Sequence, residues 1–501
     1  MKRKHIFLIW CMALSALFIG LASKSSPLYP LNDWVDVNCF FTMGRSLLDG
    51  LVPYRDLYEQ KGPVLYFAFA IIALFSRHSY VGVYVAEVIT YGLFLYFSGK
   101  IAGLYLGKTR WQYTLVAIIG ALVPMSWSFT HGGSVEQHCL FMICYGLYTV
   151  LAAIKEKRPL TRREAVLNGV WAGMMLWIKY TMLGFYLGLA LAILIRYLCD
   201  RDLRHGLFRV IGQFFLGIAL VSAVVFAYFA WHGALKDLWT VYFYNNIFLY
   251  PAEVEGSRWI SICACLGSAI RYNRCYSWML LGGIAWLAVQ LFINWKAALT
   301  LILSFAGLTV GTYWGCRGYD YYGLIFAAYV VFGLLLPVQL LRLIQGEKAL
   351  KLADISPVVF PCAMVLLVAV LFSFAMKEDQ NLYMTRYNKD DTPQYQFAQI
   401  INTVENPTLL NYGFLDGGFY YAADATPACR FYCYFNIDAP DMWHTQRQCI
   451  ENGDADFIVT RKYPLNRYNV DSSGYTLVAE ATFPFSANLE FTYYLYQKNG
   501  T

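Results

Sequence analysis

Long apolar stretches separated by short polar segments dominate this sequence. A helix needs roughly 17 to 25 apolar residues to cross the hydrocarbon core of a bilayer. We count eleven candidate stretches of about that length, at residues 6–22, 80–98, 112–130, 138–154, 166–179, 181–197, 209–230, 277–294, 297–313, 322–342 and 357–375. The pattern predicts an α-helical polytopic membrane protein.

One further apolar run, Val64 to Phe75, is too short to cross a bilayer. Counting it as a crossing would also place the basic residues Lys100, Lys108 and Arg110 on the opposite side from the other basic clusters. We therefore expect a helix that lies in or dips into the outer interface, where aromatic and amphipathic segments are tolerated.

Basic residues flank the predicted spans and set their orientation, because cytoplasmic loops carry an excess of Lys and Arg. The clusters hold about half of the 39 Lys and Arg residues, and they fall at Lys2–Lys4, at Lys100, Lys108 and Arg110, at Lys155–Arg163, at Arg196–Arg209, at Lys296 and at Arg342–Lys351. We predict an uncleaved signal anchor, a cytoplasmic N-terminus and, after eleven crossings, an extracytoplasmic C-terminal segment of a plasma-membrane protein.

Composition divides the chain near Lys377. Over its 501 residues the protein is 58% hydrophobic and 14% charged, but the segment after Lys377 has more acidic than basic residues. Residues 1–376 are predicted to form the transmembrane domain, with a first outer loop at 23–79, and residues 377–501 a small extracytoplasmic α/β domain. In the latter we predict a helix at 394–404, strands at 407–412 and 456–460, and a hairpin of 475–483 with 491–497. This segment has no GxGxxG, P-loop or DxD motif, so we assign it no chemistry and expect no nucleic-acid partner.

The 13 cysteines are scattered, with neither a metal-ligand spacing nor a disulfide framework. Most are predicted to be small core residues. Cys429 and Cys433 are close in sequence, but the sequence alone gives no reason to pair them.

Charged residues are concentrated in the first outer loop, and two interpretations are open. In the first, Asn32 or Asp33 caps a helix, Asp36 completes a capping box and Gly50 ends the helix. Capping accounts for one or two acids. It does not account for the other charges of the same membrane-edge loop, Arg45, Arg55, Glu59 and Lys61.

The second interpretation is chemical, because charges near hydrocarbon are costly and usually functional. Transfer of a sugar from a lipid-linked phosphate to a hydroxyl needs a general base for the acceptor and fixed positive charge for the departing phosphate. An apolar groove must also hold the lipid. A loop with carboxylates and cations at a membrane edge can supply these groups.

The segments D-V-N-C-F-F-T-M-G-R-S-L-L-D-G and E-Q-K-G-P-V-L-Y-F resemble the first outer loop of the polytopic GT-C glycosyltransferases. The closest branch contains protein O-mannosyltransferases and aminoarabinose transferases. The resemblance implies Asp36 as the catalytic acid, with Asp33 as competitor, and Lys61 as a lysine that binds the donor phosphate. Arg45 is a further phosphate candidate. This chain has Lys-Gly-Pro where many relatives have Lys-Pro-Pro.

Other polar groups fall in later outer loops. The family often places an acid near Glu136, which makes Glu136 and His138 candidates for substrate contact, although a solvated helix N-terminus explains Glu136 equally well. A zinc site from His131, Glu136 and His138 is chemically feasible. Arg317 is a candidate for the donor phosphate. The remaining substrate-contact candidates are Tyr319 and Tyr322, for which an aromatic interface belt is the alternative, Lys179, for which the alternative is a snorkelling anchor, and Glu59.

The sequence therefore predicts an inverting glycosyltransferase of the hexosyltransferase type, inversion being implied by the resemblance. Its expected partners are the bilayer, a polyprenyl-phosphate sugar and an acceptor glycan, lipid or protein. No cofactor is assigned, but a divalent metal ion bound by Glu59 or Glu136 is left open. The alternatives are a lipid or glycan transporter or flippase, and a catalytically silent cell-envelope assembly protein.

Overall fold

The structure, a computed structural model, describes residues 3–107, 110–253, 256–345, 359–439, 441–486 and 489–500. The helices of its first half are α1 (Arg3–Ala22), α2 (Val35–Leu48), α3 (Pro63–Ser76), α4 (Val81–Leu106), α5 (Trp111–Leu122), α6 (Val135–Lys155), α7 (Arg162–Lys179), α8 (Gly184–Cys199), α9 (Arg201–Arg204) and α10 (Leu207–Trp231). They are followed by α11 (Leu235–Asp237), α12 (Arg258–Tyr272), α13 (Arg274–Ile293), α14 (Trp295–Tyr313), α15 (Val330–Gln345), α16 (Val359–Glu378), α17 (Pro393–Ile401), α18 (Phe419–Ala423) and α19 (Met442–Glu451).

The protein is an α-helical polytopic membrane protein. Among the described residues, nine helical stretches are long and apolar enough to cross a bilayer. One of them, Arg162–Cys199, contains both α7 and α8, joined by a 3₁₀ turn at Tyr180–Leu183. The shorter apolar helix α5 stands outside those nine. Each of the eleven predicted stretches overlaps a helical segment, although α5 ends at Leu122, before the predicted end at residue 130, and the run from Val64 to Phe75 forms α3.

Part of the charge pattern falls outside the described residues. This applies to Lys2 and Lys108, to the basic residues at 348 and 351, and to the first two residues of the predicted span 357–375. The segment predicted as the outer loop 231–276 contains the wide π-type helix Leu238–Leu249 and α12.

The chain divides into two compact units, of which the first comprises Met1–Ser23, Val85–Val224 and Ala252–Asp379. Glycines allow two of its helices, α8 and α14, to approach closely. A Cβ atom added to Gly184 or Gly188 of α8 would collide with the backbone of α14, and one added to Gly307 would collide with the backbone of α8. Small residues at four-residue spacing are the usual way in which membrane helices bring their backbones together.

Apolar side chains also cover the outward faces of this unit. Phe208 and Phe215 of α10 and Val365 and Leu366 of α16 are exposed. A soluble protein rarely presents such continuous apolar surface. These apolar faces are suited to contact with the lipid chains of a bilayer.

The second unit comprises Lys24–Tyr84, Val225–Pro251 and Gln380–Thr501. It joins the first outer loop to the acidic C-terminal segment, so the compact body is larger than the predicted domain 377–501. Within the loop, α2 packs against α3, with the rings of Phe40 and Phe41 in edge contact with Phe69.

A five-stranded sheet forms the centre of the C-terminal segment. Its strands are β1 (Thr408–Tyr412), β2 (Thr426–Pro427), β3 (Phe457–Arg461), β4 (Tyr475–Ser486) and β5 (Leu489–Lys498), in the order β2-β1-β3-β5-β4. The β1 strand pairs in parallel with β2 and β3, whereas β5 is antiparallel to both β3 and β4. Pro484 lies in the edge strand β4, where a missing N–H is tolerated.

The predicted elements of this segment are present. The helix predicted at 394–404 is α17, the two predicted strands are β1 and β3, and the predicted hairpin is β4 with β5. Three elements were not predicted, namely α18, α19 and the two-residue strand β2. The first and last are too short to show a period, and α19 has only four apolar residues among ten, although they lie on one helical face.

Candidate functional site

The helix α2 begins at Val35, and its start contradicts the capping interpretation of the loop acids. Trp34 is the N-cap residue, and no side chain caps the helix. Asn32 instead accepts a hydrogen bond from the Trp34 amide at 2.9 Å. The predicted capping box is therefore wrong, whereas Gly50 does follow the helix end, with a positive φ of 91°.

Asp33 is held by a buried ion pair. Its carboxylate lies 2.8 Å from the Lys24 ammonium, and the two side chains are 6% and 0% exposed. Lys24 also donates to the Tyr383 hydroxyl at 3.2 Å. A buried carboxylate that is committed to a buried lysine is poorly placed to meet a substrate.

Asp36 lies in the first turn of α2, where the helix dipole favours a negative charge. Its carboxylate is 4.0 Å from the Lys61 ammonium, and each of the two side chains is 16% exposed. The separation is longer than a tight salt bridge, so both groups can reach a third group between or beside them. The two residues were predicted to lie together, and they do so in the structure.

The backbone of Lys61 is fixed on both sides. Its N–H donates to the Glu59 carboxylate at 2.8 Å, and its carbonyl accepts from the hydroxyls of Tyr54 and Tyr66 at 2.6 and 2.8 Å. The single hydroxyl hydrogen of Tyr66 is shared between the Lys61 carbonyl and the Glu59 carboxylate. The ammonium itself lies over the Phe40 ring. Lys61 thus presents its charge from a rigid position, which is the condition for electrostatic preorganisation.

Residues distant in sequence form hydrogen bonds with the loop that contains Lys61. The Arg430 guanidinium donates to the Tyr54 carbonyl at 2.8 and 3.1 Å, and the Arg430 carbonyl accepts from the Tyr58 amide at 2.9 Å. Asn246 donates to the Gln60 carbonyl at 2.8 Å. Sequence analysis missed these residues, because nothing in their local sequence indicates a partner hundreds of positions away.

A second row of α2 residues contacts the C-terminal segment. Thr42 donates to Asp416 at 2.6 Å. Three residues further on, Arg45 is 5% exposed, pairs with Asp424, and donates to the Tyr420 carbonyl at 3.2 Å. These contacts tie the helix that bears Asp36 to the C-terminal segment, and they engage both Nη atoms of Arg45.

Asp416 is a buried acid with a perturbed ionisation. Burial raises the pKa of Asp416 from its ordinary 3.8 to about 6, although hydrogen bonds from Thr42 and the Gly418 amide and the charge of Arg45 oppose the rise. A carboxyl whose pKa is raised on folding binds its proton more tightly in the folded state. The stability that it contributes is complete below about pH 4 and is lost as pH rises through about 6.

Above pH 6 the folded protein must hold the buried Asp416 carboxyl in its ionised form, which costs about 3 kcal/mol of stability for a pKa rise of about two units. Asp416→Asn should remove this cost. Asparagine can keep both hydrogen bonds without a charge. We compare the melting temperatures of the purified full-length variant and wild type. The variant's advantage over the wild type should be larger at pH 7.5 than at pH 4.5. The exposed Asp390→Asn serves as control. An equal difference at both pH values would contradict the prediction.

The other candidates belong to the first unit, where two of them form a buried ion pair. The Lys179 ammonium lies 2.5 Å from the Glu136 carboxylate and 3.4 Å from the centre of the Tyr322 ring. The Lys179 side chain is 9% exposed and that of Glu136 is fully buried. A snorkelling lysine and a solvated helix N-terminus are therefore both wrong for these residues, since both require exposed charges.

His138, Arg317 and Tyr319 have separate surroundings in the same unit. His138 Nδ1 lies 3.1 Å from the Thr90 hydroxyl. Arg317 donates to the Tyr319 hydroxyl at 3.3 Å, and Tyr319 stacks on Tyr321. In the described part of the chain, no three His, Cys, Asp or Glu side chains form a metal-ion cluster, and the suggested zinc site at His131, Glu136 and His138 is not formed.

Comparison with solved structures identifies the fold. The chain is similar to ArnT from Cupriavidus metallidurans bound to undecaprenyl phosphate, with a TM-score of 0.51 and 13% sequence identity over 98% of this chain and 97% of that chain. The apo structure of the same ArnT gives a TM-score of 0.50 and 14% identity over the same shares. The sequence matches no model of a known protein family and no curated protein.

This chain has the fold of ArnT, which agrees with the resemblance of its first outer loop to the GT-C glycosyltransferases. The similarity extends over nearly the whole of both chains, so it includes the first outer loop and the C-terminal segment. At 13% identity the similarity defines the fold alone.

Proposed function

We propose that this chain is an inverting glycosyltransferase that moves a sugar from a polyprenyl-phosphate donor to an acceptor hydroxyl. The observation that supports it is the pair of Asp36 and Lys61 at 4.0 Å, partly exposed, on a polytopic fold shared with ArnT. The ArnT structure is described as bound to undecaprenyl phosphate. We extend that ligand class, a polyprenyl phosphate, to this chain as part of the proposal.

The chemistry assigns one role to each group. Asp36 accepts the proton of the acceptor hydroxyl as its oxygen attacks the anomeric carbon. The bond from that carbon to the phosphate oxygen breaks, and the electron pair leaves with the polyprenyl phosphate. Lys61 stabilises the negative charge that collects on this leaving group. A single displacement inverts the configuration of the anomeric carbon.

The surroundings of the pair support this assignment. The charge of Asp33 is balanced by that of Lys24 in a buried ion pair. We therefore assign the role of general base to Asp36 and a positioning role to Asp33. Glu59 holds the Lys61 backbone, and Arg45 holds α2 through Asp424. We therefore assign Glu59 and Arg45 positioning roles and not direct contact with the substrate.

The candidates of the first unit carry no step of the proposed reaction. Glu136 and Lys179 form a buried ion pair, which is as poorly placed to meet a substrate as the pair of Asp33 and Lys24. Arg317, His138, Tyr319 and Tyr322 stay predictions from the sequence. The positive-inside pattern supports a reaction at the outer face of the plasma membrane, with the C-terminal segment outside. The proposed donor sugar is a hexose, and the acceptor is a glycan, a lipid or a protein.

Reconstitution with a labelled donor tests the proposal. The purified full-length protein is placed in liposomes with a panel of polyprenyl-phosphate sugars, with and without crude acceptor fractions. We expect release of free polyprenyl phosphate and labelled product, with inverted configuration by NMR. Movement of intact donor between leaflets without cleavage would establish the transporter instead. Neither cleavage nor movement across the panel would favour an assembly protein.

A further inference from the structure

All four cysteines of the second unit lie next to another cysteine. The free thiol of Cys39 on α2 lies beside the free thiol of Cys433 in the C-terminal segment. The free thiols of Cys429 and of Cys449 on α19 are likewise neighbours. Four cysteines allow three pairings. The fold brings together Cys39 with Cys433 and Cys429 with Cys449. Sequence proximity would instead suggest that Cys429 pairs with Cys433.

Independent contacts fix each pair in place. The Tyr432 hydroxyl, next in sequence to Cys433, donates to the carbonyl of Cys39 at 3.4 Å. Cys39 and Cys433 are 2% and 0% exposed. In the other pair, Cys449 belongs to the buried cluster of Leu410, Tyr412 and Ile458, and Cys429 packs against that cluster. Three of the four thiols are therefore buried, and the half-buried Cys429 packs against the cluster that contains Cys449.

We propose that this unit carries two disulfide bonds, Cys39–Cys433 and Cys429–Cys449. The inference rests on the proposed outer-face location, because disulfides persist in oxidising compartments outside the cytoplasm. The Cys39–Cys433 bond would join the first outer loop to the C-terminal segment, and the Cys429–Cys449 bond would close a loop within that segment. All four were predicted to be core residues, because spacing alone could not reveal that Cys39 lies beside a cysteine almost 400 positions away or that Cys429 lies beside Cys449.

The oxidant is the disulfide of an extracytoplasmic thiol–disulfide oxidoreductase. One thiolate of a pair attacks that disulfide and forms a mixed disulfide, and the second thiolate then displaces the oxidoreductase as a dithiol. Each pair loses two electrons and two protons, and the oxidoreductase disulfide gains them. Burial raises the pKa of the Cys39 and Cys433 thiols, so the exchange takes place before the pair is enclosed.

The Cys39–Cys433 bond would have a direct effect on the proposed site. Cys39 follows Asp36 by three residues on α2, so the two lie one helical turn apart. The row formed by Cys39, Thr42 and Arg45 faces the C-terminal segment. A covalent bond at the first position of this row would hold the turn that bears the proposed base.

Mass spectrometry tests the proposal on the full-length protein in native membranes. Membranes are quenched in acid, denatured and alkylated without reductant, and digested. We expect the linked peptides Cys39–Cys433 and Cys429–Cys449, and their loss in Cys39→Ser and Cys449→Ser respectively. The matched control Cys362→Ser, on the exposed face of α16, should leave both linkages intact. Complete alkylation of all four thiols in the wild type would overturn the proposal.

Two further measurements separate the reasons for a failure. Reporter fusions at the C-terminus locate that end of the chain. A reporter outside with free thiols would refute the disulfides alone, whereas a cytoplasmic reporter with free thiols would also refute the outer-face location. In thermal unfolding, a phosphine reductant should lower the melting temperature of the wild type by roughly 5 °C or more and leave that of a variant lacking all four cysteines unchanged.

Discussion

Asp36→Asn should lower the rate of sugar transfer by about 10²- to 10⁴-fold, the usual contribution of a general base. Asparagine has nearly the same shape but cannot accept the proton of the acceptor. The carboxylate does not cap α2, so its loss leaves the helix start intact. We expect wild-type expression, wild-type melting temperature and unchanged binding of polyprenyl monophosphate, with the loss confined to kcat.

Two matched variants make this result specific. Asp49→Asn removes an exposed acid at the other end of the same helix, where it pairs with Arg77, and should keep nearly full activity. Asp33→Asn leaves the buried Lys24 without its counter-charge and should lower stability, while the folded fraction keeps its turnover. If Asp33→Asn abolished turnover in a folded protein and Asp36→Asn did not, the base would be Asp33.

Lys61→Met should lower kcat/KM for the lipid-linked donor by about 10²- to 10³-fold, a typical loss for one charge-stabilising donor. Methionine keeps an apolar stem beside Phe40 but has no charge. The hydrogen bonds that fix Lys61 involve only its backbone N–H and carbonyl, so the loop should keep its conformation in the variant. The steady-state kinetics of donor cleavage supply the measurement.

Binding of the product lipid separates this effect from that of Asp36. Polyprenyl monophosphate should bind at least ten times more weakly to Lys61→Met than to the wild type or to Asp36→Asn, in a direct titration in detergent. Lys61→Arg keeps a positive charge and should recover most of the affinity. Equal affinity in Lys61→Met and the wild type would remove Lys61 from the phosphate site.

Local patterns in the sequence were enough to predict most elements of this fold. The apolar stretches correspond to helices, and the hairpin of β4 with β5 follows from two alternating runs. These features depend on residues within about 20 positions of one another. The division of the chain was harder to predict, because the first loop and the C-terminal segment form one unit through contacts that no local pattern records.

The candidate site shows the same limit more sharply. Asp36 and Lys61 were selected from one loop, and they do lie together. The roles of their neighbours depended on distant partners. Asp33 is paired with Lys24, and Arg45 with Asp424. A single sequence does not contain these pairings, since each charge has several possible partners.

The contacts between α2 and the C-terminal segment have a consequence for biosynthesis. Thr42 and its partner Asp416 are 374 positions apart, and Tyr54 and Arg430 are 376 apart. At ordinary rates of translation, the ribosome adds the later residue on the order of half a minute after the earlier one. During that interval the nascent loop lacks the groups that hold it. The protein should therefore acquire its activity only after synthesis is almost finished, and a premature stop codon shortly after residue 379 should yield an inserted but inactive product.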